Sequence, residues 1–150
     1  MKIERVRSFF AERKIEVTKG NLHAFFEKMQ LPEVLKEYLK LMENPIDLQQ
    51  TDEGAAVTYL LSQEEIKNCL QDVLYKILPE HTLFPIGKGL NGDIVCLNLK
   101  NNHVGYVYHE ELCENCEEFA DLYQELPLTL DQFLDFAFYS PSYPVNTAIK

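Results

Sequence analysis

Three side chains with metal-binding chemistry lie close together in this sequence: His109, Cys113 and Cys116, spaced His-x-x-x-Cys-x-x-Cys. An imidazole and two thiolates supply three of the four ligands that tetrahedral zinc takes, and Cys96, His103 or His81 is on hand as a fourth. The spacing is half of a zinc-ribbon pattern, because a second Cys-x-x-Cys pair is missing. Redox chemistry would want the pair at the start of a helix in a thioredoxin-like setting, and the surrounding residues do not make one. The structural reading of the three residues takes precedence, and neither a metal nor a cofactor is expected.

Gly87-x-Gly89-x-x-Gly92 matches the letters of the dinucleotide fingerprint. That fingerprint works because a helix follows it and presents its N-terminus to pyrophosphate. Here the next residues, Ile94 to Leu99, read as a strand. Gly87, Gly89, Gly92 and Asp93 are therefore assigned to a hairpin turn that exploits the conformational freedom of glycine. Serine nucleophiles lack support as well: there is no G-x-S-x-G, and Ser8, Ser62, Ser140 and Ser142 have no neighbouring histidine. No catalytic residue is assigned.

The charge is more informative. The chain carries a formal net charge of −10, and the charge is unevenly placed. Residues 1–20 are net basic, whereas residues 101–150 hold nine acids against Lys150 alone. Between Asn101 and Ile149 there is no Lys or Arg. Such a field repels phosphate backbones and excludes nucleic acid as the natural partner. It steers a basic partner inward. Glu110, Glu111, Glu114, Glu117, Glu118 and Asp121, with Tyr123 among them as an aromatic anchor, are the candidate partner-binding residues. The plain alternative is that these acids only keep the protein in solution.

The elements that must position these residues follow from periodicity. Ile3, Val6 and Phe10 lie on one face of a helix running to Lys14, with Arg5, Arg7 and Arg13 off that face. Leu22 to Met29 reads as a second helix capped by Asn21, and Pro32 opens a third that Asn44-Pro45 ends. Residues 46–54 read as a polar loop, and Ala55 to Leu61 as a strand. Ser62-Gln63-Glu64-Glu65 is a capping box that starts a fourth helix, and Pro79 bars helical continuation beyond Leu78. Strands are expected over Leu83–Gly87, Ile94–Leu99 and Val104–Tyr108. Phe119 to Leu126 reads as a strand or the end of a helix, and Thr129-Leu130-Asp131-Gln132 caps a closing helix.

Helices first, strands later and no βαβ alternation predict one α+β domain over residues 1–150: N-terminal helices packed on an antiparallel meander sheet, closed by a C-terminal helix. The N-terminus lacks the apolar run of a signal peptide, and no segment approaches the length needed to span a bilayer. Four cysteines without a secretory signal fit a reducing compartment, so a cytoplasmic location without membrane attachment is expected.

The order of short motifs resembles the SUKH superfamily. The matching residues are Leu31-Pro32, Pro85-Ile86-Gly87, Gly92-Asp93, the aromatic Tyr106 and Tyr108, His109-Glu110, and Thr129 with Phe133-Leu134. The resemblance covers Asn21 to Phe138, and it implies a domain core at about 21–138. Asn44-Pro45 stands where the family often has Asn-Gly, and Thr129-Leu130 where it has Ser-Phe. The superfamily includes bacterial immunity proteins and a yeast regulator of cell-wall assembly. The resemblance implies a non-catalytic antitoxin that neutralises a basic toxin, often a nuclease or deaminase, by binding it. The second expectation, of a different class, is a regulatory scaffold that binds a host protein or small ligand.

Overall fold

The computed structural model of the chain describes residues 2–47, 57–89, 93–108 and 122–139, with the backbone alone at 57–58 and 135–139. The described helices are α1 (Ile3–Glu12), α2 (Ala24–Glu27), α3 (Glu33–Lys40), α4 (Gln63–Gln71), α5 (Ile77–Glu80) and α6 (Leu130–Tyr139). The strands are β1 (Ile46–Asp47), β2 (Val57–Leu60), β3 (Leu83–Gly89), β4 (Ile94–Asn98), β5 (Val104–Val107) and β6 (Tyr123–Glu125). They form one sheet in sequence order, each strand antiparallel to the next. The architecture is α+β: α1 to α3 come first, then β1 and β2, then α4 and α5, then β3 to β6 and the C-terminal α6.

Strand alternation divides the apolar residues between two faces. Phe84, Val95, Leu97, Val104 and Tyr106 point to one face and join Val6, Phe9 and Phe10 of α1, Phe26 of α2, Leu35, Tyr38 and Leu39 of α3, and Phe133 and Leu134 of α6. Phe26 meets Phe84 at 5.9 Å between ring centroids, and Tyr106 meets Phe133 edge-on at 6.1 Å. A buried phenylalanine of this kind contributes about 3–5 kcal/mol relative to alanine. α1 packs on α3 and α6, so the core draws on residues ahead of Asn21, where the family resemblance starts. Leu83, Ile94, Cys96 and Val107 face the other way and form a smaller cluster with Leu78 of α5, flanked by Cys69, Tyr75, Ile77 and Tyr123.

Local rules account for several boundaries. At the end of α1, Ile15 N–H donates to Phe10 C=O at 2.9 Å and Lys14 N–H to Ala11 C=O at 3.0 Å. This is a Schellman closure, and it puts Lys14 at φ 56°, where glycine is the usual occupant. The capping box at Ser62 is complete: its Oγ accepts from Glu65 N–H at 3.2 Å, and Glu65 Oε1 accepts from Ser62 N–H at 3.0 Å. Pro85 is tolerated in a central strand for two reasons. It lies past the end of the β2 ladder, which stops at Leu60↔Gly87, and it abuts a bulge where β3 advances two residues while β4 advances one.

Three expectations are corrected. Ile46–Asp47, assigned to a loop, is the edge strand β1, paired with Leu60 and Tyr59; two residues are too few for periodicity to register. α2 is a single turn with His23 rather than Asn21 at its N-cap. Pro79 sits inside α5, in a first turn whose N–H groups have no intrahelical partner to lose.

Candidate functional site

Glu110, Glu111, Glu114, Glu117, Glu118 and Asp121, together with His109, Cys113 and Cys116, lie outside the described residues, as does Gly92. The turn assigned to the other glycines starts later than expected. Gly87 lies within β3 at the bulge, and Gly89 ends that strand, its N–H donating to Asp93 C=O at 2.8 Å. Asp93 is buried just ahead of β4. Cys96, His81 and His103, each an alternative fourth metal ligand, lie in different settings. Cys96 is fully buried in the smaller cluster, where loss of solvent pushes its thiol well above the usual range. His81 is exposed at the end of α5, and His103 lies 4.0 Å from Glu125. Among the described residues no three His, Cys, Asp or Glu side chains are placed to share a metal ion.

Tyr123 is committed to the sheet. Its ring covers Gly105 on β5, so closely that a Cβ there would lie 2.5 Å from the ring. Its hydroxyl donates to Glu125 Oε1 at 3.1 Å. Glu125 also accepts from Asn98 Nδ2 at 2.8 Å and Asn101 Nδ2 at 3.0 Å. Partial burial opposes ionisation of Glu125, but these three donors and the nearby His103 outweigh it and lower the carboxyl below its usual value. The opposite shift at Tyr123 comes from burial first and Glu125 second. The group fastens β6 to the β4–β5 turn, and Tyr123 is half-buried there. The sequence carried no signal of this network, because Asn98, Asn101 and Glu125 come together only through strand pairing.

Two concavities are formed by described residues. One, of about 210 Å³, is lined by Leu61, Glu65, Asn68, Cys69, Tyr75, Lys88 and Ile94. Burial, with Asp72 nearby, pushes the Cys69 thiol up to about 11, and a thiol so held is a poor nucleophile at neutral pH. Glu65 is already engaged in the cap and by the Tyr59 hydroxyl at 2.8 Å. Burial and that carboxylate push Tyr59 up to about 12.

The other cavity, of about 180 Å³, lies between the α1–α2 linker and the α3–β1 connection. Glu16, Val17, Thr18 and Gly20 form one wall, and Leu41, Glu43, Asn44, Pro45 and Ile46 the other. Gly20 N–H donates to Lys40 C=O at 2.7 Å, joining the walls. A Cβ on Gly20 would lie 2.8 Å from Glu43 Oε2, so the glycine makes room for that carboxylate. The linker is held from below by Gln63, which is fully buried. Its Nε2 donates to Asn21 C=O at 2.9 Å, and its Oε1 accepts from His23 N–H at 2.8 Å.

The described structure is that of an α+β domain with two small concavities and a polar network at one sheet edge. Comparison of the chain with protein-family models, curated proteins and solved structures returns no match. No described helix is long and apolar enough to cross a membrane.

Proposed function

We propose that this protein is a non-catalytic binding domain of the immunity type, which neutralises a basic toxin domain in the cytoplasm by occupying it. The observation that carries this reading is the charge distribution: nine acids and no cation between Asn101 and Ile149, in a chain of net charge −10. Toxins that act on nucleic acid must attract phosphate and so tend to be cationic. An acidic inhibitor competes for the same surface, and its field raises the association rate toward roughly 10⁸ M⁻¹s⁻¹ at low salt. The α+β meander accords with the SUKH resemblance, which supports the same reading.

The test starts with affinity capture from the native cells, followed by expression of the captured partner alone and together with this protein. A basic partner that is toxic alone and harmless in the pair supports the proposal; a partner with no toxicity overturns it. Converting Glu114, Glu117 and Glu118 together to Gln then assigns the surface. Association should slow more than dissociation speeds up, and the difference should shrink with salt, since charges farther apart than ~8 Å are screened at physiological ionic strength.

A further inference from the structure

The cavity between the α1–α2 linker and the α3–β1 connection has a lining that specifies an occupant. Leu41 and Ile46 are buried, Val17 is half-buried, and together they give an apolar floor. Glu16 and Glu43 stand exposed at the lining, which contains no Lys or Arg among the described residues. The neighbouring lysines are engaged elsewhere: Lys19 Nζ lies 2.9 Å from Glu37 Oε2, and Lys40 Nζ 3.4 Å from Glu37 Oε1. Among the described residues, Glu43 has only the His23 imidazole at 3.9 Å as an ion-pair partner, and Glu16 has none.

Size narrows the choice further. A volume of about 180 Å³ is close to the ~150 Å³ cavity that holds one benzene and well below the ~300 Å³ at which drug-sized pockets begin. The space suits one side chain. Lysine and arginine match it chemically, since each lays an aliphatic stem along apolar surface and presents a cation at its tip. Gly20 supports this arrangement by letting the Glu43 carboxylate lie against the backbone of the opposite wall.

We propose that this cavity seats one basic side chain of the partner protein, its stem against Val17, Leu41 and Ile46 and its cation between Glu16 and Glu43. The proposal deepens the binding reading above and rests on it for the partner's identity. Its test needs no partner. The ¹⁵N-labelled protein is titrated with N-acetyl-arginine methylamide, N-acetyl-lysine methylamide and the neutral isostere N-acetyl-citrulline methylamide, while the amide signals of Thr18, Gly20 and Ile46 are followed.

The two cationic probes should give saturable shifts at those amides, with citrulline at least about tenfold weaker, a ratio of 1.4 kcal/mol. The better of the two identifies the preferred side chain. The double variant Glu16→Gln/Glu43→Gln, both positions exposed, should keep the rest of the spectrum and lose the response. Citrulline binding as well as arginine, a response that survives in the double variant, or no saturable shift up to on the order of 50 mM probe overturns the seat. Failure here removes this contact alone, because the toxin reading is decided by partner capture and toxicity.

Discussion

Gln63 offers a sharp test of how the cavity wall is built. It is fully buried, and its amide joins three segments: Nε2 donates to Asn21 C=O at 2.9 Å, Oε1 accepts from His23 N–H at 2.8 Å, and its own N–H donates to Met42 C=O at 2.9 Å. Gln63→Leu keeps the volume and the backbone bond but removes both side-chain bonds. The His23 N–H is half-buried, and leaving such a donor unpaired costs about 1–3 kcal/mol. Asn21 is exposed, so its carbonyl turns to water and its loss falls at the low end of that range. The expected destabilisation is about 2–3 kcal/mol, which lowers Tm by roughly 4–12 °C in a chain of this length. Gln63→Glu separates hydrogen bonding from shape. Its second oxygen would face the Asn21 carbonyl, so the folded state favours the protonated acid and raises that carboxyl above its unfolded value. The deficit of this variant against wild type should be full above the folded pKa and vanish as pH falls below the unfolded value near 4.3. Urea denaturation at pH 7 and pH 4 measures both. A Leu variant within about 0.5 kcal/mol of wild type, or a Glu variant whose deficit does not shrink in acid, would refute the assignment.

Three further substitutions probe single features. Lys14→Gly relieves a left-handed residue at the end of α1 and should stabilise by about 0.5–1 kcal/mol in thermal melts, despite the greater freedom of glycine in the unfolded chain. Tyr38→Phe removes a fully buried hydroxyl with no hydrogen-bond partner among the described residues, so its stability should equal or exceed wild type, whereas a loss above about 1 kcal/mol would reveal a partner. Gly105→Ala drives a methyl into the Tyr123 ring and should cost about 1–3 kcal/mol, relieved in the double variant with Tyr123→Ala; equal deficits in single and double variants would show that the ring is not the obstacle.

Sequence periodicity revealed the architecture where it had enough residues to act on. The stripes of α1 and α3, the capping box at Ser62 and the continuous apolar runs of β4 and β5 are distinctive enough to be read locally. β1 and α5 escaped because they span two and four residues, and their stability comes from neighbours rather than from their own pattern. The candidate sites were less legible. Gln63 was read as the middle of a capping box, and its reach to residues 40 or more positions away is a tertiary fact. Glu16 and Glu43 are unremarkable acids in sequence and acquire a shared role only where two linkers are drawn together through Gly20 and Lys40. Tyr123 reads among acids as an anchor, and its contact with Gly105 is made by strand pairing, which local pattern does not carry.

The cavity and the acidic run are attached to opposite edges of the sheet. Ile46 belongs to β1, and the run from 109 to 121 is tethered between Tyr108 and Leu122, where β5 and β6 pair. Strands spaced about 4.8 Å apart put four or five intervals, roughly 19–24 Å, between those attachments. That separation of the attachments exceeds the screening length of ~8 Å at physiological salt. Contacts that a single partner makes that far apart are energetically independent. Combining Glu16→Gln/Glu43→Gln with the triple Gln variant of Glu114, Glu117 and Glu118 should therefore add the two losses of binding free energy to within about 0.5 kcal/mol. Their kinetic signatures should differ, with the cavity variants raising the dissociation rate and the triple variant lowering the association rate. Calorimetry and stopped-flow on the four combinations measure both quantities. A coupling well above that margin would mean that the two acidic groups meet the same patch of the partner.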